Sequence, residues 1–108
     1  MKLQSYSTYH IFFNNLSNPL RIKIVSALKD KNMSVTELSK KIKAEQSKLS
    51  HALAKLRECN LVTSINNGKE RIYSLNRKTL LPILNIIDEH SKLNCGGNCL
   101  CCTKHNLH

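Results

Sequence analysis

Four cysteines lie within eight residues near the end of the 108-residue chain: Cys95, Cys99, Cys101 and Cys102. Thiolates are soft ligands that select zinc, cadmium, lead, copper(I) or trivalent arsenic over hard cations. Gly96 and Gly97 give this segment a backbone that can wrap around one ion, and His105 and His108 add two imidazoles. We predict a site for one thiophilic metal or metalloid ion in this C-terminal tail, residues 94–108.

Three other interpretations of the tail stay open: a structural zinc site, a redox switch that uses the adjacent Cys101 and Cys102, and a tail without chemical function. A disulfide framework is not expected, because we predict a cytoplasmic protein and that compartment keeps thiols reduced. No run approaches the roughly 18 apolar residues that a membrane span needs. The N-terminus shows no signal peptide.

A second set of residues with chemical potential lies on a helix predicted from about Gln46 to Cys59. Leu49, Leu53 and Leu56 recur at helical spacing on one side. Glutamine can pair with adenine, and serine can contact bases or phosphates. A small polar front on an apolar back suits a helix that enters the major groove. The candidate DNA-binding residues of this front are Gln46, Ser47, Ser50, His51 and Lys55.

A basic β-hairpin is predicted after this helix. The first strand is Leu61 to Ile65, and the dipeptide Asn67-Gly68 is a strong hairpin signal because both residues tolerate positive φ. A second strand runs from Lys69 to Leu75. Lys69 and Arg71 would reach the phosphates or the minor groove beside the helix.

The charge distribution points to the same kind of partner. Seventeen Lys and Arg outnumber seven Asp and Glu, for a formal charge of +10. Residues 45–78 carry seven basic and three acidic side chains, whereas residues 80–108 are balanced. An excess of this kind favours a nucleic acid partner. No nucleophile–base pair or paired carboxylates are visible, so we expect neither an enzyme nor a small organic substrate.

The remaining elements must position this polar front. Tyr6 to Leu16 is predicted as a helix whose aromatic stripe packs in the core or in a dimer. Asn18 caps a helix from Pro19 to Lys29, with Arg21 and Lys23 pointing away from its buried face. Ser34 and Glu37 form a capping box for a helix that ends near Ile42.

A last helix is predicted from Thr79 to Leu93, with Pro82 in its first turn. Its apolar residues cover more than one face, which indicates a partner chain. The fold class is therefore mainly α with a small β-hairpin. We predict one winged helix-turn-helix domain over residues 1–93, with about five helices and a two-stranded wing, assembled as a homodimer.

The central motifs resemble the ArsR/SmtB family of metalloregulatory repressors. The similarity covers roughly residues 9–90, and it begins with the segment Leu16-Ser17-Asn18-Pro19-Leu20-Arg21-Ile22. It continues through Ser34 to Leu38, through Gln46 to Val62 with its Ser50-His51 pair, and through the wing from Gly68 to Leu75. The resemblance implies a homodimer joined by the first and last helices. It also implies a repressor that an inducer, usually a metal ion, releases from DNA.

The family's metal sites match this chain poorly. Ser34-Val35-Thr36 stands where thiolate-using members have Cys-Val-Cys, and Arg77, Lys78 and Thr79 stand where zinc sensors have Asp-x-His. Cys59 lies where some cadmium and lead sensors carry a cysteine, but the companion position is Lys55. We interpret Cys59 as a small buried residue, and Asp88 and His90 as ordinary polar residues at a helix end. The tail cysteines are similar in content to those of arsenite-responsive members.

The prediction that joins these observations is a DNA-binding repressor. Its operator binding would be relieved by As(III), Cd, Pb or Zn at the C-terminal cysteine cluster. The alternative is a constitutive winged-helix DNA-binding protein whose tail holds structural zinc or a redox-active thiol pair.

Overall fold

Helices predominate in the computed structural model, which describes residues 2–95 and the side chains of residues 7–94. This part contains five helices and three strands. They are α1 (Lys2–Leu16), α2 (Pro19–Asp30), β1 (Met33–Ser34), α3 (Val35–Ile42), α4 (Gln46–Glu58), β2 (Val62–Asn67), β3 (Glu70–Leu75) and α5 (Arg77–Cys95). The predicted fold class is confirmed. The chain divides into two compact units, Met1–Asn76 and Arg77–His108.

The core of the first unit joins α2, α3, α4 and β2. Its largest fully buried side chains are Ile24, Leu28, Leu38, Leu49, Leu53, Leu56 and Val62. Each such aliphatic side chain contributes about 1.5–3 kcal/mol by leaving water. Three of the seven come from α4, so this helix is held firmly along one side.

The sheet has one strand more than the predicted wing. The two-residue strand β1 pairs with β3, which gives an antiparallel sheet in the order β1-β3-β2. Asn67 pairs with Glu70, so the hairpin turn consists of Gly68 and Lys69. Gly68 has φ of +68°, the left-handed conformation that glycine adopts without steric cost. Lys69 therefore belongs to the turn itself and does not begin the second strand.

Helix α1 exposes much of its predicted stripe. Tyr9 and Phe13 are each 64% exposed, and Ile11 is 56% exposed. Phe12 is half-buried and packs edge-on against Phe13, with ring centroids 5.5 Å apart. The alternative in which Tyr9 and Phe13 pack in the core of a single chain is therefore wrong. Dimer packing remains the prediction for this face.

Helix α5 is longer than predicted at both ends. Because it starts at Arg77, Pro82 lies inside the helix and not in the first turn as predicted. A proline there cannot donate a hydrogen bond to the carbonyl four residues earlier. Ile86 and Ile87 are 68% and 54% exposed. None of the described helices is both long enough and apolar enough to cross a membrane.

Candidate nucleic-acid interface

Helix α3 is the first helix of the helix-turn-helix, and the predicted capping box forms at its N-terminus. The Ser34 hydroxyl accepts a hydrogen bond from the Glu37 amide at 3.2 Å, and the Glu37 carboxylate accepts one from the Ser34 amide at 3.0 Å. Together these bonds satisfy two amides that the helix start leaves without partners. Ser34 is itself buried.

The connection between α3 and α4 is closed by local hydrogen bonds. Lys43 adopts the left-handed conformation with φ of +62°, and its amide donates to the Ser39 carbonyl at 2.8 Å. The Ser39 hydroxyl donates to the Ala44 carbonyl at 2.7 Å. These bonds fix the three-residue link, and with it the position at which α4 begins.

The first turn of α2 lies against the N-terminal half of α4. Asn18 is the N-cap as predicted, and its side-chain oxygen accepts from the amides of Leu20 and Arg21 at 3.0 and 3.2 Å. Arg21, predicted to point away from the buried face, is instead half-buried. Its Nη1 donates to the Asn15 carbonyl at 3.0 Å, which holds the guanidinium in place.

Helix α4 separates an apolar side from a polar side. Leu49, Ala52, Leu53 and Leu56 are buried. All five candidate DNA-binding residues of this helix are exposed: Gln46, Ser47, Ser50, His51 and Lys55. The structure thus brings these five side chains to one accessible surface, and their contact with DNA stays a prediction.

The polar side of α4 has a centre and two flanks. Successive residues of an α-helix turn by about 100° around its axis. Ser47 and His51 therefore lie opposite the middle of the buried side. Gln46 and Ser50 lie on one flank, and Lys55 lies on the other. Different positions on this face would meet different parts of a DNA groove.

The wing places its two basic candidates differently. Arg71 pairs across the hairpin with Asn66, on the sheet face that carries the buried Tyr73. Lys69 occupies the turn, and Glu70 lies on the opposite sheet face to Arg71. Lys69 and Arg71 are both exposed. Glu70, which separates Lys69 from Arg71 in the sequence, therefore does not share a sheet face with Arg71.

The basic side chains of this surface are available to an outside anion. Lys31 and Glu37 form an ion pair at 3.9 Å on α3 and the loop before it. Within the described part of the chain, Lys55, Lys69 and Arg71 form no such pair. Their charge is not neutralised locally, which is the arrangement that binding to phosphates requires.

The predicted metal ligands lie at or beyond the edge of the described residues. Cys95 is the last residue of α5, and Cys99, Cys101 and Cys102 fall outside the described residues, as do His105 and His108. Among the described residues, no three His, Cys, Asp or Glu side chains come together as a metal site. Asp88 and His90 are both exposed on α5.

Cys59, interpreted from the sequence as a buried residue, is exposed. Its Sγ accepts a hydrogen bond from the side-chain nitrogen Nδ2 of Asn15 at 2.8 Å. The prediction failed because Cys59 is the C-cap of α4, one residue beyond the last helical turn. The sequence signal for this position was Asn60, which has φ of +60° and ends the helix.

Comparison with known proteins agrees with this geometry. The family "Bacterial regulatory protein, arsR family" matches residues 18–64, from the N-cap of α2 into β2. The crystal structure of NolR from Sinorhizobium fredii superposes with a TM-score of 0.75 at 31% identity, covering 82% of this chain and 88% of NolR. The chain belongs to the arsR family. It has the winged helix-turn-helix fold of this family of regulatory proteins.

Two curated relatives extend the comparison. This arsR-family chain is 33% identical over 78 residues to nodulation protein NolR of Rhizobium meliloti, covering 72% of this chain and 64% of NolR. It is 30% identical over 79 residues to the "transcriptional repressor SmtB homolog" of Synechocystis, covering 73% of this chain and 60% of that protein. The matched part thus spans less than two thirds of these relatives.

Proposed function

We propose that this arsR-family regulator is a repressor that inserts α4 into the major groove of operator DNA. The observation that carries the proposal is the exposed polar side of α4 beside the basic wing, on a helix whose other side is buried. Gln46 and Ser50 would contact base edges, and Ser47, His51 and Lys55 would contact bases or the backbone. Lys69 and Arg71 would contact phosphates next to the groove. The name of the Synechocystis relative, a transcriptional repressor, supports repression.

The second part of the proposal is a homodimer. Helix α1 exposes Tyr9 and Phe13, and α5 exposes Ile86 and Ile87. Exposed apolar side chains at this density on two helices favour burial against a second copy. A two-fold dimer presents two copies of α4, and it therefore reads an inverted repeat with half-sites about 34–36 Å apart.

The third part is an inducer ion at the tail. Four thiolates and two imidazoles fit a thiophilic ion such as As(III), Cd, Pb or Zn, and residues 94–108 form the segment that would hold it. Cys101 and Cys102 are the proposed pair, with Cys95 or Cys99 as the third ligand. Because Cys95 ends α5, an ion at the tail would act directly on the end of that helix. The ion lowers DNA affinity only if it prefers a dimer that fits DNA poorly.

Operator binding by a Cys101→Ser, Cys102→Ser double variant tests the inducer site. Wild-type protein should lose operator affinity by about 5- to 150-fold when Cd(II) or arsenite is added, the range of a typical coupling free energy. The double variant should bind DNA normally and not respond to the ion. Ligation by thiolates releases protons, so the apparent affinity for Cd(II) should rise with pH.

Two outcomes would contradict the inducer site. A double variant that still releases DNA when the ion is added would place sensing outside the cluster. A wild-type protein that binds the ion stoichiometrically and keeps its DNA affinity would instead favour a structural site. Ultraviolet thiolate-to-metal charge-transfer bands report ion binding separately from DNA release, so the two outcomes are distinguishable.

A further inference from the structure

A cleft of about 330 Å³ lies between the first turn of α2 and the N-terminal half of α4. Five polar side chains line it: Asn18, Arg21, Ser47, Lys48 and His51. No carboxylate belongs to the lining. Arg21 and Lys48 were not among the predicted DNA-binding residues, because neither the spacing of α2 nor that of α4 alone brings them together.

The positive charge of the cleft comes from side chains. The Leu20 and Arg21 amides already donate to Asn18, so the helix start offers little to a ligand. Arg21 uses Nη1 to bind the Asn15 carbonyl, and its guanidinium has further N–H donors for another acceptor. Lys48 is exposed and forms no ion pair within the described residues. The site thus joins one oriented cation with one adaptable cation.

The position of the cleft suggests which anion it would bind. Ser47 and His51 line the cleft and also lie at the centre of the exposed face of α4. A helix in the major groove is flanked by the two phosphate backbones, and the helices that support a recognition helix commonly contact them. With α4 in the groove, the backbone on the Lys48 side would pass over this cleft.

We propose that the cleft binds one phosphodiester group of the DNA backbone. Arg21 and Lys48 neutralise its charge, and the Ser47 hydroxyl and His51 ring add hydrogen bonds. Such a contact carries no sequence information, and it fixes the depth and rotation of α4 so that Gln46 and Ser50 meet the bases. This inference rests on the proposed mode of DNA binding, and it adds Arg21 and Lys48 to the interface.

The test compares Lys48→Ala and Arg21→Gln with the control Lys23→Ala, which removes an equal charge from α2 outside the cleft. Affinity for one mixed-sequence duplex is measured by fluorescence anisotropy across a salt series. Lys48→Ala should flatten the slope of log affinity against log salt by about 0.9, the value for one phosphate contact. Between 50 and 200 mM salt this makes the loss of affinity about 3- to 4-fold smaller. Lys23→Ala should keep the wild-type slope.

Methylphosphonate substitution locates the contact. On an operator duplex, phosphates are replaced by methylphosphonates one at a time. At one position in each half-site, the replacement should weaken binding by the wild type but cause no further loss of binding by Lys48→Ala. Equal slopes for Lys48→Ala and Lys23→Ala, or the same methylphosphonate profile for Lys48→Ala and wild type, would overturn the cleft while leaving DNA binding intact. A wild-type protein that binds no DNA would overturn both proposals. Thermal melts test whether Arg21→Gln is folded before its salt slope is compared with that of the wild type.

Discussion

Gln46 and Ser50 lie together on one flank of the exposed side of α4, whereas Lys55 lies on the other flank. An amide can make two hydrogen bonds to one adenine, and a hydroxyl can add one to a neighbouring base. A lysine approaches phosphates as a point charge. The two flanks therefore differ in chemistry, and base reading is expected mainly from the Gln46 side.

Removing the base-reading side chains should weaken specific binding more than non-specific binding. Gln46→Ala and Ser50→Ala should each weaken specific binding by about 1–3 kcal/mol and change non-specific binding little, because each removes a contact to a base edge. Competition between operator and scrambled duplexes measures the ratio. Thr36→Ala, at an exposed position on α3, is the control. An unchanged ratio in both variants would remove this flank from base recognition.

Removing the wing cations should act on every sequence alike. Lys69→Ala and Arg71→Ala should each lower affinity for specific and scrambled duplexes by a similar factor and flatten the salt slope by about 1. Thr63→Ala, on the exposed outer face of β2, is a wing variant without a charge change. If Arg71→Ala altered the ratio of specific to non-specific binding, Arg71 would be a base-reading residue.

Residue-level exposure was predictable wherever helical period decides it. The leucine spacing of α4 places the five candidate side chains on the accessible side, and the structure agrees. Arg21 and Cys59 were missed because their surroundings depend on Asn15, which is distant from Cys59 along the chain. Single-element periodicity contains no information about such tertiary neighbours.

At the scale of elements, the capping box at the start of α3 connects the helix-turn-helix to the strand β1. Ser34→Ala should lower the free energy of unfolding by about 0.5–2 kcal/mol, because the Glu37 amide loses its acceptor at a buried position. Urea unfolding followed by circular dichroism measures this change. Thr36→Ala, two residues later and exposed, should change stability less. Equal losses in the two variants would contradict a specific role for the cap.

Element boundaries show which signals were strong. Asn18-Pro19 and Ser34 with Glu37 predicted the starts of α2 and α3, because a cap is a local interaction. Strand β1 has two residues and exists by pairing with β3, so it has no alternation of its own to detect. The hairpin turn lies one residue later than predicted, because the pairing of Asn67 with Glu70 decides the register and the Asn-Gly dipeptide alone does not.

At the scale of the whole molecule, the feature to test is the proposed homodimer. Ile87 is 54% exposed in one chain, so Ile87→Glu should leave each chain folded while placing an unpaired carboxylate in the dimer interface. Sedimentation at micromolar concentration should change from dimer to monomer. Asn85→Glu, at another exposed position of α5, is the control with the same added charge. A variant that remains dimeric would place the interface elsewhere.

Selection of duplexes from a random library by the wild-type protein tests the central claim, that this regulator reads DNA as a dimer through α4. We expect enrichment of one imperfect inverted repeat whose half-sites lie about one helical turn apart. The Gln46→Ala, Ser50→Ala double variant should enrich that repeat far less than the wild type does, or it should enrich a degenerate form of the repeat. Enrichment of no sequence, of a single unrepeated site, or of the same repeat by the double variant would contradict the claim.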